Sequence, residues 1–202
     1  MMPSPSRLSD AQNQLVLDAS VLINLLGTGE PAKILRALDR RIIVEAYALG
    51  EVTIDPSTNG SPEPILNSMA STGQIHAERL SSRGFDLFLS LTGAEFQAGL
   101  GDGEAAVIAH AVENGAAAVL DDRKATRTAR SKFPQLPIFN SLDLLSHEKV
   151  LQQFGEEALG DLIFKALRHA RMRVPPDYLD WVVALIGEHR ARECPSIKWS
   201  GK

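Results

Sequence analysis

Short apolar runs alternate along this chain with longer stretches in which apolar residues recur every third or fourth position, a pattern that predicts strands interleaved with helices. Residues 14–17 form an apolar run that ends at Asp18, and 21–26 continue as a helix stopped by Gly27 and Gly29. Pro31 opens a helix over 32–38, with Ile34, Leu35 and Leu38 at helical spacing. A second strand is read over 41–44 and a helix over 46–54, ended before Pro56. Residues 55–64 have the composition of a loop. A helix near 65–71, a strand near 74–80 and a short helix near 85–91 follow. Val107, Ile108, Ala111 and Val112 then stripe a helix over 105–114 that Gly115 caps, before a buried strand at 116–120, a helix over 123–133 and a short strand at 137–139.

Strand signals stop at Ser141. Ser141 with Leu142, Leu144, Leu145, Val150 and Leu151 reads as a capped helix, 159–170 as a second, and about 177–190 as a third after Val174-Pro-Pro176, with Tyr178, Trp181, Val182, Leu185 and Ile186 on its apolar side. The expected organisation is an N-terminal tail over 1–12, an α/β domain over 13–140, a helical extension over 141–190 and a C-terminal tail over 191–202, both tails mobile. Repeated strand and helix imply a mainly parallel central sheet covered on both faces, a three-layer α/β/α fold. The extension would pack on that domain or on a partner.

Composition narrows the class without naming a chemistry. The 202 residues are 44% hydrophobic and 23% charged, ordinary for a globular domain. No apolar run reaches the roughly 20 residues of a bilayer span, and the first residues lack the apolar core of a signal peptide, so a cytoplasmic protein without a membrane partner is expected. Cys194 is the only cysteine, which leaves no internal disulfide and no cysteine-built zinc site. The five histidines show no mutual metal-ligand spacing.

Acids carry the candidate chemistry. Asp18, Glu51, the pair Asp102 and Glu104, and the pair Asp121 and Asp122 stand in four short motifs, three of them where a strand ends or a helix begins. In an open parallel sheet those positions lie along the carboxyl ends of the strands, where such folds keep their sites. A converging carboxylate cluster suits hard divalent cations, since like charges a few ångströms apart are otherwise costly to keep ionised. The net charge of −4 does not exclude a nucleic acid, because bound metal would offset the cluster. Basic residues are grouped at Arg36, Arg40 and Arg41, at Arg123, Lys124, Arg127, Arg130 and Lys132, and at Lys165, Arg168, Arg171 and Arg173. Each group reads equally as a solvated face. Asp18, Asp102 and Asp121 also suit helix capping, and Ser20 and Asn24 suit structural hydrogen bonding.

Leu-Asp-Ala-Ser-Val-Leu-Ile after the first strand, Glu51 in a helix after the second, Gly-Asp-Gly-Glu-Ala-Ala opening an apolar helix, and Val-Leu-Asp-Asp-Arg-Lys-Ala after a later strand resemble the PIN-domain nucleases over residues 14–140. The Arg-Val-Pro-Pro stretch and the helix after it resemble the tail of a bacterial PIN subgroup. The resemblance implies a metal-dependent endoribonuclease related in fold to the VapC toxins, using Mg2+ or Mn2+. Asp18 matches the family's first-strand aspartate and Ser20 the hydroxyl residue two positions later; Glu51 is preferred to Glu45 as the helix glutamate. Glu104 most nearly takes the place of the acid that opens the central helix, and Asp122 best matches the aspartate after the later strand.

On that resemblance Asp18, Glu51, Glu104 and Asp122 would be catalytic, with Asp18, Glu104 and Asp122, joined by Asp102 and Asp121, as metal ligands. Cations held there would activate water in line with a phosphodiester. Ser20, Arg123, Lys124 and Arg127 would bind substrate. RNA, an antitoxin protein and a second copy in a homodimer are the implied partners. Two other classes stay open: a non-catalytic module that binds RNA or protein, and a phosphatase with Asp18 as nucleophile, which the Ser at position 20 disfavours.

Overall fold

The computed structural model describes residues 4–92 and 100–197. Among them, β1 (Gln14–Leu17), β2 (Arg41–Glu45), β3 (His76–Glu78), β4 (Ala117–Val119) and β5 (Ile138–Phe139) form one parallel sheet in the order β3-β2-β1-β4-β5. Central strands of such a sheet are buried on both faces and therefore run apolar without alternation. Leu15, Val16 and Leu17 are fully buried, with β1 pairing through Leu15 to Ile42 on one side and Ala117 on the other.

Parallel strands need crossovers, and the helices supply them. Between β1 and β2 run α1 (Ala19–Gly27) and α2 (Pro31–Leu38); between β2 and β3 run α3 (Ala46–Glu51) and α4 (Glu63–Ser71). The connection from β3 to β4 crosses back over β2 and β1 through α5 (Ser82–Thr92) and α6 (Asp102–Asn114), and α6 packs on β1, β2 and β4. Val107, Ile108 and Ala111 of its apolar stripe are fully buried there, and Val112 partly so. Helix α7 (Arg123–Lys132) joins β4 to β5. Because the chain order reverses between β1 and β4, their carboxyl ends open onto a crevice at the topological switch point.

After β5 come α8 (Ser141–Leu145), α9 (Glu148–His169), α10 (Pro176–Ile186) and α11 (Glu188–Arg192). The extension packs on the sheet domain: α9 lies against α1 and α2, and α10 lies against α9. Local differences from the sequence reading have local causes. The helix expected over 46–54 ends at Glu51, and Asp55 then forms an antiparallel bridge with Gly60 within the loop. The stretch read as one helix from 142 to 151 divides after α8, which is capped by Asn140 rather than Ser141; Asn140 accepts from the Asp143 N–H while Asp143 accepts from the Asn140 N–H. Gly155, at φ 75°, breaks α9 internally.

Within the segments expected as mobile tails, 1–12 and 191–202, several described residues are held to the rest of the chain. Residues 4–8 are fastened to α8: Ser6 Oγ donates to the Asp143 carbonyl, Arg7 donates through its backbone and its guanidinium to the Asp143 carboxylate, and Leu8 is buried. At the other end Ala191, Cys194 and Ile197 are buried. Residues 1–3 and 198–202 of those tails lie outside the described residues.

Candidate active site

Asp18 directly follows β1, Asp122 stands three residues past the end of β4, and each caps the helix that follows. The Asp18 carboxylate accepts from the Ser20 N–H and hydroxyl at the start of α1; that of Asp122 accepts from the N–H groups of Lys124 and Ala125 at 2.7 and 2.9 Å. Short acids are favoured at this position because their oxygens satisfy helix N–H groups that lack intrahelical partners. Capping and site formation are thus one geometry here. The Asp18 N–H donates to Val119 O at 3.1 Å, continuing the β1–β4 ladder up to the switch point and holding the two acids at its mouth.

Glu51 and Glu104 reach the same crevice from the other side. Glu51, the last residue of α3, accepts the Gly103 N–H at 3.1 Å, so its carboxylate sits on the positive end of α6. Glu104 folds back to accept the Gly101 N–H at 3.1 Å. Together Asp18, Glu51, Glu104, Asp121 and Asp122 line a cavity of about 750 Å³, with Ser20, Asn24 and Lys124 on its wall and residues 170–173 closing one side.

The electrostatics are those of anions held close. Burial raises the Asp18 pKa, the Ser20 hydrogen bonds lower it, and the charge of Asp122 raises it again. Burial likewise raises Glu104; the Gly101 N–H opposes that, Asp122 and Asp18 add to it, and Lys124 relieves it. Asp121 is raised by enclosure despite three donors, the Ser141 hydroxyl and N–H and the Asn24 amide, the last at 2.6 Å. These acids are costly to keep ionised unless a cation joins them.

The donor set fits a hard divalent cation: carboxylate oxygens from four chain segments around one cavity, destabilised in their charged form by one another. No three acidic, histidine or cysteine side chains form a ready-made coordination group among the described residues, so water would complete any shell.

Not every residue marked by sequence enters the cavity. Asp102 stands exposed as the first residue of α6 and does not line it. Asp121 lines the cavity, but its side-chain oxygens are taken by Asn24 and Ser141, so it ties α1 to α8 beneath the site. Glu45 caps α3 through the Tyr47 N–H and is 1% exposed, away from the cavity, whereas Glu51 lines it. Lys124 faces the acids; Arg123 and Arg127 instead line a neighbouring cavity. Arg173 was hidden inside a basic run, yet it donates to the Asp121 carbonyl at 3.1 Å and lines both cavities. The one sequence signal for it was its place just before Pro175-Pro176, which fixes where α10 begins.

A sequence-family profile described as a PIN domain matches residues 14–188. No curated protein and no solved structure gives a significant match. The chain belongs to the PIN-domain family, whose members are typically nucleases and generally use divalent metal ions. The matched span runs through α10, so the helical extension is part of the family pattern. No described helix is long and apolar enough to cross a membrane.

Proposed function

We propose that this PIN-domain protein is an Mg2+- or Mn2+-dependent endoribonuclease. The observation that carries the reading is the meeting of Asp18, Glu51, Glu104 and Asp122 around one cavity at the switch point of the sheet, with Lys124 among them. Asp18, Asp122 and Glu104 would hold the metal, with Glu51 beside them. A bound divalent cation supplies Lewis acidity at the phosphate and a more acidic water.

The chain's own residues do the rest. Ser20 keeps the Asp18 carboxylate turned toward the crevice by donating to it. The Gly103 N–H fixes Glu51, which is placed to orient a water molecule or accept its proton. Lys124 lowers the pKa of Glu104 and offers a point charge to a phosphate oxygen. The sheet-derived ends of β1 and β4 keep the acids from separating, so little reorganisation is needed when substrate arrives.

A role as the toxin of a toxin–antitoxin pair belongs to this proposal through the likeness to VapC proteins, as do a homodimer and a cytoplasmic location. The second reading, a non-catalytic module that binds RNA or protein, is favoured by the lack of a preformed three-ligand group among the described residues. The two separate on metal titration. A live site gains thermal stability with Mn2+ in the wild type, by about 2.7 kcal/mol at a hundredfold excess over Kd, and loses that gain in Asp18→Asn; a binding module shows no such gain.

A further inference from the structure

Beside the acidic cavity lies a second one of about 390 Å³, sharing Asp121 and Arg173 with it and lined by Arg7, Arg123, Arg127 and Arg130. We propose that this second cavity is a phosphate-binding subsite that takes the sugar-phosphate backbone of the strand next to the scissile bond, with Arg123, Arg127 and Arg130 as its anion-binding residues. The proposal rests on the nuclease reading for the position of the scissile bond, but not for the binding itself.

Three features carry it. Arg123, Arg127 and Arg130 fall on one face of α7 at spacings of four and three residues, all exposed, and none makes a side-chain ion pair or hydrogen bond to a described residue. Arg7 in the same cavity contrasts with them, since it is paired through two nitrogens with the buried Asp143 carboxylate. Like charges in such a row repel one another, and Arg173 adds a further guanidinium to the same lining. A polyanion is the ligand that removes this repulsion, and guanidinium forks match phosphate oxygens two at a time.

Ile138, Phe139 and Tyr178 also line the cavity, all three buried, so they form its apolar floor rather than a stacking face. The Asp177 carboxylate also lines the cavity and opposes an anion there. The shared wall at Asp121 and Arg173 makes the two cavities neighbours along a single strand, so one chain of phosphates can enter both.

The test is equilibrium binding of a fluorescein-labelled 12-nucleotide single-stranded RNA in EDTA, which blocks cleavage, over a series of salt concentrations. Wild type is compared with Arg127→Ala/Arg130→Ala, and each protein's thermal midpoint is recorded. The double variant is expected to melt like wild type, to bind at least tenfold more weakly at low salt, and to lose about 1.4 from the slope of log K against log salt, about 0.7 for each phosphate contact. Unchanged affinity and slope would overturn the proposal, and so would a poly-glutamate peptide that binds wild type more tightly than the RNA does. Because binding is read without cleavage, an inactive wild type that still shows the arginine effect would remove the nuclease reading and leave the subsite standing. An active wild type that the double variant matches in binding would do the reverse.

Discussion

A Cβ built on Gly103 would lie 2.6 Å from Glu51 Oε1, so the last residue of α3 can rest on the first turn of α6 only because position 103 has no side chain. The same glycine donates its N–H to that oxygen. One backbone position therefore makes room for the Glu51 carboxylate and aims it. Gly103→Ala is expected to push Glu51 out of the cavity and lower RNA cleavage about 10–100-fold, the usual cost of losing a partner that orients an active-site acid. Urea unfolding should change by much less, since Glu51 is exposed rather than part of the core. Wild-type cleavage by a folded Gly103→Ala protein would deny Glu51 its role.

Asp18 trades stability for its place in the site. Burial raises its pKa and Asp122 pushes the same way, so the folded state favours the protonated carboxyl. That preference stabilises the fold fully below the ordinary Asp value of about 3.9 and is lost as pH rises through the raised one. Asp18→Asn keeps an oxygen to cap α1 and carries no charge. In EDTA at pH 7 the variant is expected to melt higher than wild type, on a scale of about 2–4 °C per kcal/mol for a chain of this size. The gap should narrow toward pH 4 and also on adding Mn2+ to wild type. Thermal melts across that pH range check the sign, and a variant that melts lower than wild type at pH 7 would contradict it.

Asn24 is 5% exposed and spends its amide on Asp121 and the Ser141 hydroxyl. Removing that donor leaves an enclosed carboxylate less satisfied. Asn24→Ala should cost about 1–3 kcal/mol in urea unfolding, with cleavage reduced through displacement of the β4 end. Asp102→Ala, at an exposed position outside the cavity, should leave cleavage within about twofold while costing up to about 1 kcal/mol for the lost negative charge at the start of α6.

Asp143 is fully buried and gathers Arg7 from the N-terminal segment, Tyr178 from α10 and the Asn140 N–H. Burial and the Asp143 carboxylate both raise the pKa of Tyr178, so its hydroxyl stays protonated and donates at neutral pH. Tyr178→Phe should cost about 1.5–3 kcal/mol, the range for a hydrogen bond to a charged group. Arg7→Ala should cost less than the roughly 3–5 kcal/mol of breaking a fully buried pair, because Arg7 is itself half-exposed. Chemical denaturation of both variants reads these values directly; no loss in either would mean the N-terminal segment is not tied down by this carboxylate.

How far the sequence reveals this molecule depends on the range of the interaction involved. The strands just before Asp18 and Asp121, and the stripe of α6, follow from burial periodicity, a local signal that tertiary structure preserves. Glu51 could be chosen over Glu45 from its depth in the helix, and the two now occupy opposite roles, Glu51 at the cavity and Glu45 at a cap. Asp121 and Asp122 are adjacent in sequence and chemically alike. Their separation into a node joining helices and a helix cap that lines the cavity depends on Asn24 and Ser141, which arrive from distant segments. Arg173 was illegible for the same reason: its partner, the Asp121 carbonyl, lies 52 residues away. Arg123 and Arg127 were recognised as phosphate-binding candidates, but their rotation around α7 into a separate cavity required the orientation of that helix against β5.

The most direct test of the central claim is cleavage of a mixed single-stranded and structured RNA pool by the wild type in Mn2+ and in EDTA, alongside Asp18→Asn and Asp122→Asn. The account predicts fragments in Mn2+ alone and at least a hundredfold loss in both variants. Cleavage that persists in EDTA or in either folded variant would contradict it, as would no cleavage by a folded wild type saturated with Mn2+.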